Sequence, residues 1–183
     1  VTIFFMLAAG INFGTHFLAF RRRELSPYRA DPEAWIFLLV VIGSCFGISW
    51  FLLGNHVYAD FWTALRFASF NVVSIATTTG FSNTDYNQWP VFAPVWMLFL
   101  CCFATCSGST GGGIKMVRAV IMVKQALREL QRIVHPRAYI PVKLAGTAVE
   151  NNIVFAVLAF MLVYGGTVIL LTMLLAASGL DIV

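Results

Sequence analysis

Three long apolar segments dominate the hydrophobic pattern of the chain. Val1–Phe20, Ala34–Gly54 and Ile153–Ala177 contain no Asp, Glu, Lys or Arg. Each is about as long as the roughly 20 residues that a helix needs to cross a bilayer. Trp35 and Trp50 lie near the two ends of the second segment, where aromatic side chains favour the membrane interface. The pattern predicts three membrane-spanning helices.

Two further apolar segments are shorter than a membrane span. Phe61–Ile75 contains a charged residue, Arg66, and Val91–Cys106 leads directly into the small-residue run 107–113. At about 1.5 Å rise per residue, helices over these segments would reach roughly 22 Å and 24 Å, short of a hydrocarbon core about 30 Å thick. The hydrophobic pattern alone leaves open how these two segments meet the membrane.

The composition indicates that the lipid bilayer is a partner of this chain. Hydrophobic residues make up 60% of the 183 residues and charged residues 11%, whereas soluble domains carry about 25% charged residues. The four cysteines lie in apolar stretches with no histidine or acidic residue near enough in sequence to complete a metal site, so we interpret them as reduced packing residues. Because the chain begins inside one apolar run and stops just after another, we expect it to be a piece of a larger membrane protein.

The basic residues determine the expected topology. Eleven of the twelve Lys and Arg residues lie in two clusters, the first formed by Arg21, Arg22, Arg23 and Arg29, and the second by Lys115, Arg118, Lys124, Arg128, Arg132, Arg137 and Lys143. Basic loops face the cytoplasm, so an even number of crossings must separate the clusters. Ala34–Gly54 is one crossing. We expect Val91–Cys106 to be the second, and the shorter, charged Phe61–Ile75 to enter the membrane and turn back.

This topology places residues 21–33 and 115–150 in the cytoplasm and residues 83–88 outside. The basic residues then act as topology determinants beside anionic lipid headgroups, and no nucleic acid partner is expected. The predicted fold is an all-α polytopic membrane protein, in which a helix, a pore loop and a second helix form one repeat with flanking transmembrane helices.

The re-entrant segment ends in a sequence suited to binding a cation. Asp60 is a candidate N-cap for a pore helix over 60–76, which the filter segment 77–82, Thr-Thr-Thr-Gly-Phe-Ser, follows. Irregular backbone at membrane depth is tolerated where protein buries it or where it lines a water-filled path. Carbonyl oxygens there replace a cation's hydration shell, Gly80 permits a positive φ, and the helix C-terminus adds partial negative charge. The expected cation ligands are Thr78, Thr79, Gly80 and Phe81. An ordinary surface turn is the alternative.

A glycine-rich loop interrupts the next apolar segment, at Gly108, Ser109, Thr110, Gly111, Gly112 and Gly113. It is not a phosphate-binding loop, because Ile114 separates the last glycine from Lys115 and Met116 replaces the required hydroxyl residue. We interpret residues 107–113 as a flexible, weakly held break beneath the re-entrant loop that acts as a movable barrier in an ion path, an intramembrane gate loop. A simple helix break at the membrane edge is the alternative.

Several stretches together resemble one family of transport proteins. They are Thr-Thr-Thr-Gly-Phe-Ser-Asn-Thr-Asp-Tyr (77–86) with Trp89-Pro90, Cys106-Ser-Gly-Ser-Thr-Gly-Gly-Gly-Ile-Lys115, Val134-His-Pro-Arg-Ala-Tyr-Ile-Pro-Val-Lys-Leu144 and Gly10-Ile-Asn-Phe-Gly-Thr-His-Phe17. The chain resembles the Trk/Ktr/HKT superfamily of potassium transporters, most closely the membrane subunit of bacterial Trk potassium-uptake systems. The resemblance implies four helix–pore-loop–helix repeats around one pore, with potassium as the transported ligand.

The resemblance also implies how the chain is divided and what it works with. The implied segments are the end of the second repeat (1–20), a cytoplasmic connector (21–33), the third repeat (34–134), a second cytoplasmic connector (135–150) and the first helix of the fourth repeat (151–183). The implied assembly is a homodimer in the bacterial inner membrane, controlled by a cytosolic nucleotide-binding regulatory ring. The membrane potential, worth about 2.3 kcal/mol per charge at 100 mV, can drive uptake without an enzymatic activity or a cofactor in this chain.

Two other function classes fit the pattern less well. A cation-coupled secondary transporter with a broken-helix site would need an ionisable group near the membrane midplane, and the central parts of the predicted spans offer none. An intramembrane enzyme would need a nucleophile with a base, and Ser107 and Ser109 have no histidine or acidic residue nearby in sequence.

Overall fold

Apolar helices build the architecture of the computed structural model, which describes residues 1–135, 140–144 and 147–179. In chain order the helices are α1 (Thr2–Gly10), α2 (Phe13–Arg22), α3 (Ser26–Ala30), α4 (Pro32–Gly54), α5 (Phe61–Ala76), α6 (Phe92–Phe103), α7 (Met116–Val134) and α8 (Asn151–Ala177). A 3-10 turn (Tyr86–Gln88) precedes α6, and two short antiparallel strands, β1 (Lys143–Leu144) and β2 (Thr147–Ala148), precede α8. The predicted all-α class is confirmed. The chain forms two units, 1–117 and 118–183, which are described separately.

Two of the predicted spans are single long helices. α4 and α8 are both long and apolar enough to cross a membrane. α4 begins sharply because the Asp31 carboxylate accepts hydrogen bonds from the backbone N–H groups of Glu33 (3.0 Å) and Ala34 (3.4 Å), with Pro32 in the first helical turn. The connector predicted over 21–33 contains the short helix α3.

The expected single helix over 1–20 is wrong. α1 and α2 meet at an angle of 102° across Ile11 and Asn12. The Asn12 side chain caps α2 by accepting a hydrogen bond from the Gly14 N–H at 2.7 Å. The hydropathy of the segment does not reveal this break, because one capping asparagine hardly changes the mean hydropathy of an apolar run.

The short helix α5 lies at the centre of the first unit. It begins and ends within one residue of the predicted pore helix and contacts α1, α4 and α6. Small side chains let these helices approach closely, and Ala64, Ala68 and Ala76 are fully buried. Asp60 occupies the N-cap position as expected, but its carboxylate accepts a hydrogen bond from the Thr63 hydroxyl (2.9 Å) instead of from a backbone N–H among the described residues.

α6 is shorter than the predicted segment Val91–Cys106, since it ends at Phe103. Its 12 residues rise only about 18 Å. Residues 104–115 then follow an irregular path until α7 begins at Met116. Ala104, Thr105 and Cys106 are buried all the same, so this irregular backbone is held inside the first unit.

The second unit contains most of α7, the two strands and α8. Arg128 on α7 donates a hydrogen bond to the Asn151 side chain at the start of α8 (3.1 Å), and the Arg118 guanidinium lies 4.1 Å from the centre of the Phe160 ring. Residues 136–139 and 145–146 of the predicted connector 135–150, and residues 180–183 of the last segment, lie outside the described residues.

Candidate functional site

The C-terminus of α5 turns its backbone N–H groups back on the helix. The Thr78 N–H donates to the Ile75 carbonyl (2.9 Å), and the Thr79 N–H donates to the Ser74 carbonyl (2.8 Å). The Thr77 hydroxyl donates to the Val73 carbonyl (2.7 Å), which anchors the first residue of the filter segment in the buried helix end. The backbone N–H groups of this turn are therefore paired with helix carbonyls, whereas the carbonyl oxygens of the turn are still to be accounted for.

The four predicted ligand residues present carbonyl oxygens that are available for a cation. Within the described part of the chain, the backbone carbonyls of Thr78, Thr79, Gly80 and Phe81 accept no hydrogen bond, and all four residues are exposed. Gly80 has the predicted positive φ, 81°. Thr78 also has a positive φ, 55°, which is uncommon for a β-branched residue and which the sequence did not reveal. The helix end beside these oxygens carries partial negative charge, favourable to a cation.

A buried asparagine supports the segment that follows the filter. The Asn71 amide, fully buried on α5, donates to the Asn83 side chain (2.8 Å) and to the Phe67 carbonyl (2.9 Å). The chain is thereby tied to α5 both before and after the filter residues. Sequence reasoning missed Asn71, although one amide side chain inside an apolar helix was the available signal.

Backbone hydrogen bonds join the gate loop to the break between α1 and α2. The N–H groups of Cys106 and Thr110 donate to the carbonyls of Gly10 (3.0 Å) and Ala9 (3.3 Å) at the end of α1. In return, the Phe13 N–H at the start of α2 donates to the carbonyl of Gly108 (3.1 Å). These are the backbone groups that a helix leaves unpaired at its two ends.

Two glycines of the loop are packed too closely to accept a side chain. A Cβ atom on Gly111 would lie 2.9 Å from Cβ of Thr105, and one on Gly113 would lie 2.8 Å from the carbonyl oxygen of Cys101. Gly113 also has a φ of 83°. The loop is not weakly held in this structure, because its backbone is hydrogen-bonded and Gly111 and Gly113 are enclosed.

The filter and the gate loop form one site. The Gly112 N–H donates a hydrogen bond to the Thr78 hydroxyl at 2.9 Å. The sequence had assigned the two segments separate roles, and the structure brings them into direct contact. Across the described residues, no group of three or more His, Cys, Asp or Glu side chains is placed to hold a metal ion.

Comparison with known proteins identifies the family. The model of the cation transport protein family TrkH matches residues 1–179. The chain belongs to the TrkH family. Its resemblance to bacterial Trk membrane subunits is thereby confirmed.

Relatives of this TrkH-family chain are longer than it is. The Trk system potassium uptake protein TrkH of Vibrio parahaemolyticus is 39% identical over 186 residues, covering 99% of this chain and 38% of the relative. The corresponding Escherichia coli K12 protein is 38% identical over 182 residues, covering 97% of this chain and 37% of that protein. The crystal structure of the potassium transporter TrkH from Vibrio parahaemolyticus superposes with a TM-score of 0.92 at 37% identity, over 98% of this chain and 39% of that one. The chain thus spans under two fifths of these relatives and shares their fold.

Adjacent glycines of the TrkH-family loop offer a matched pair of substitutions. We expect Gly113→Ala to destabilise the full-length protein by about 2 kcal/mol or more, since it adds steric overlap to a positive φ. Gly112→Ala should cost little, because the nearest atom to its Cβ would be 3.9 Å away, on Thr78. Thermal unfolding of both variants in detergent, followed by size-exclusion chromatography, measures the difference. Equal melting temperatures would show that the loop does not pack as described.

Proposed function

We propose that the full-length protein containing this chain takes up potassium through a channel-like pore. Thr78, Thr79, Gly80 and Phe81 provide one of four filter strands, and the loop Gly108–Gly113 gates the path. The observation that carries this proposal is the set of carbonyl oxygens just after the C-terminus of α5 that accept no hydrogen bond in the described structure. The Thr78 hydroxyl of the same segment accepts a hydrogen bond from Gly112 of the glycine-rich loop. The relatives' printed names as potassium uptake proteins support the same substrate.

Ion binding in the filter follows from the backbone. Potassium gives up its hydration water only if other oxygens replace it, and carbonyl groups fixed by α5 do so without carrying a full charge. Binding is then strong enough for entry and weak enough for release. The membrane potential drives accumulation, so this pore domain acts as a transporter and not as an enzyme.

Gating by the loop follows from its position. Gly112 donates to Thr78 of the filter, and Ser107 at the start of the loop donates to Glu33 in the first turn of α4. The loop therefore lies between the filter and the end of α4 that follows residues 21–33. In the proposed topology this is the cytoplasmic side, because residues 21–33 and 115–150 are cytoplasmic. Displacement of the loop would open the path below the filter while leaving the filter's ties to α5 intact.

The proposed setting is the bacterial inner membrane. A Trk uptake system has further subunits, and we propose a cytosolic nucleotide-binding ring as the regulator and a homodimer as the assembly. Both rest on the family resemblance. The cytoplasmic segments 21–33 and 115–150 are the parts of this chain that such a ring would reach.

Replacement of Gly80 tests the filter assignment. Nothing lies within 4 Å of a Cβ at Gly80, so Gly80→Ser adds no steric overlap and acts through its φ of 81°. We expect about a tenfold loss of potassium-over-sodium selectivity in a folded protein, because the strained backbone tilts a coordinating carbonyl. The measurement is potassium and sodium flux into liposomes containing the full-length protein. Gly54→Ser, at another glycine with open space around it, is the control and should leave selectivity unchanged. Unchanged potassium-over-sodium selectivity in the Gly80→Ser variant would show that Gly80 is not a filter residue.

Deletion of Ser109–Gly112 tests the gate. The loop acts as a barrier and not as a binding site, so we expect higher basal potassium flux with selectivity largely kept. A catalytic or nucleotide-binding loop predicts loss of activity instead. Flux through purified full-length protein in liposomes gives the answer, and size-exclusion chromatography shows whether the variant is folded. A folded deletion variant that conducts less than the parent would contradict the gate.

A further inference from the structure

Two residues of opposite charge contact the gate loop near its ends. Glu33 lies in the first turn of α4, and Lys115 lies two residues after the loop. The sequence pattern indicates no role for Glu33 and places Lys115 in a topology-determining basic cluster. In the structure, both side chains instead bind backbone groups of residues 107–111.

Glu33 holds the beginning of the loop. Its carboxylate accepts a hydrogen bond from the Ser107 N–H at 2.8 Å. The position of Glu33 is fixed in turn by Asp31, which accepts from the Glu33 N–H (3.0 Å) and from the Thr15 hydroxyl on α2 (2.7 Å). A hydrogen bond from a backbone N–H to a carboxylate is stronger than one to a neutral acceptor, so this contact restrains the first loop residue.

Lys115 holds the rest of the loop. Its ammonium group donates to the Ser109 carbonyl (3.3 Å), to the Ser109 hydroxyl (3.4 Å) and to the Gly111 carbonyl. Its backbone has a φ of 74°, a conformation that lysine rarely adopts. Such a conformation persists only where surrounding contacts fix it, and here it directs the ammonium back into the loop.

We propose that Glu33 and Lys115 form a charged clasp that keeps the gate loop in its closed position. The clasp is a pair of positioning residues that act on the loop from both sides. Opening requires the loop to break its hydrogen bonds with the Glu33 carboxylate, the Lys115 ammonium group and the α1 carbonyls. Gly112, which contacts Thr78 of the filter, directly follows Gly111, whose carbonyl accepts from Lys115. Release of the loop by Glu33 or Lys115 therefore frees Gly112 to leave Thr78. This inference rests on the proposed gating function.

Substitutions that remove one charge at a time test the clasp. Glu33→Leu and Lys115→Met should each raise basal potassium flux by about fivefold or more, with potassium-over-sodium selectivity kept, because each removes charge-assisted hydrogen bonds. Glu33→Gln keeps an acceptor oxygen without the charge and should give an intermediate flux. Matched controls are Glu24→Leu and Lys124→Met, whose side chains bind only Ser26 and the Lys143 carbonyl among the described residues and should leave flux unchanged.

The Ser109–Gly112 deletion separates failure of the clasp from failure of the gate. In liposomes containing the purified full-length protein, Glu33→Leu and Lys115→Met should have no further effect in the deletion background, since Gly112, the residue that they keep against the filter, is gone. If the deletion raises flux and neither folded substitution does, the clasp is wrong and the gate stands. A fully additive effect in the deletion background would also overturn the clasp. If the deletion lowers flux, the gate itself fails and the clasp fails with it.

Discussion

The structure of the first unit depends on one constraint, which is that backbone polar groups inside a membrane must find partners within the protein. Two stretches break this chain's apolar helices, around Ile11 and over residues 104–115. Each leaves N–H and carbonyl groups unpaired, and the two breaks are paired with each other through Gly10, Gly108 and Thr110. Neither break could exist alone without a substantial desolvation cost, so the bend and the gate loop are two halves of one structural feature.

The filter segment depends on the same constraint in a different way. The Thr78 and Thr79 N–H groups donate back to Ile75 and Ser74 of α5, and the carbonyl oxygens of residues 78–81 accept no hydrogen bond among the described residues. A protein that only needed a turn could pair those carbonyls with its own donors. Their exposure is tolerated where water or a cation takes the place of the missing donors. The proposed ion path accounts for these unpaired carbonyl oxygens at the end of α5.

The sequence predicted those features that depend on composition and spacing. α4, α5 and α8 follow from the length of the apolar segments, and the irregular segments after α5 and α6 follow from the runs 77–82 and 107–113. The α1–α2 bend, the positive φ of Thr78, and the contacts of Glu33 and Lys115 were not predictable in this way. The partners Glu33 and Ser107 lie far apart in the chain, and neither is unusual in its own surroundings. The α1–α2 bend depends on one capping asparagine, and the Lys115 contacts and the φ of Thr78 depend on backbone conformations that hydropathy and composition do not indicate.

The central claim is that α5 enters the membrane and returns, leaving one crossing on each side of it. Single cysteines at Arg29, Asn87 and Arg132, all exposed positions, test this claim in a full-length background without the native cysteines. Impermeant thiol reagents applied to intact cells should label Asn87→Cys, and Arg29→Cys and Arg132→Cys should react only after the membrane is permeabilised. Labelling of Arg132→Cys from outside, or of Asn87→Cys only from inside, would contradict the re-entrant helix and the pore built on it.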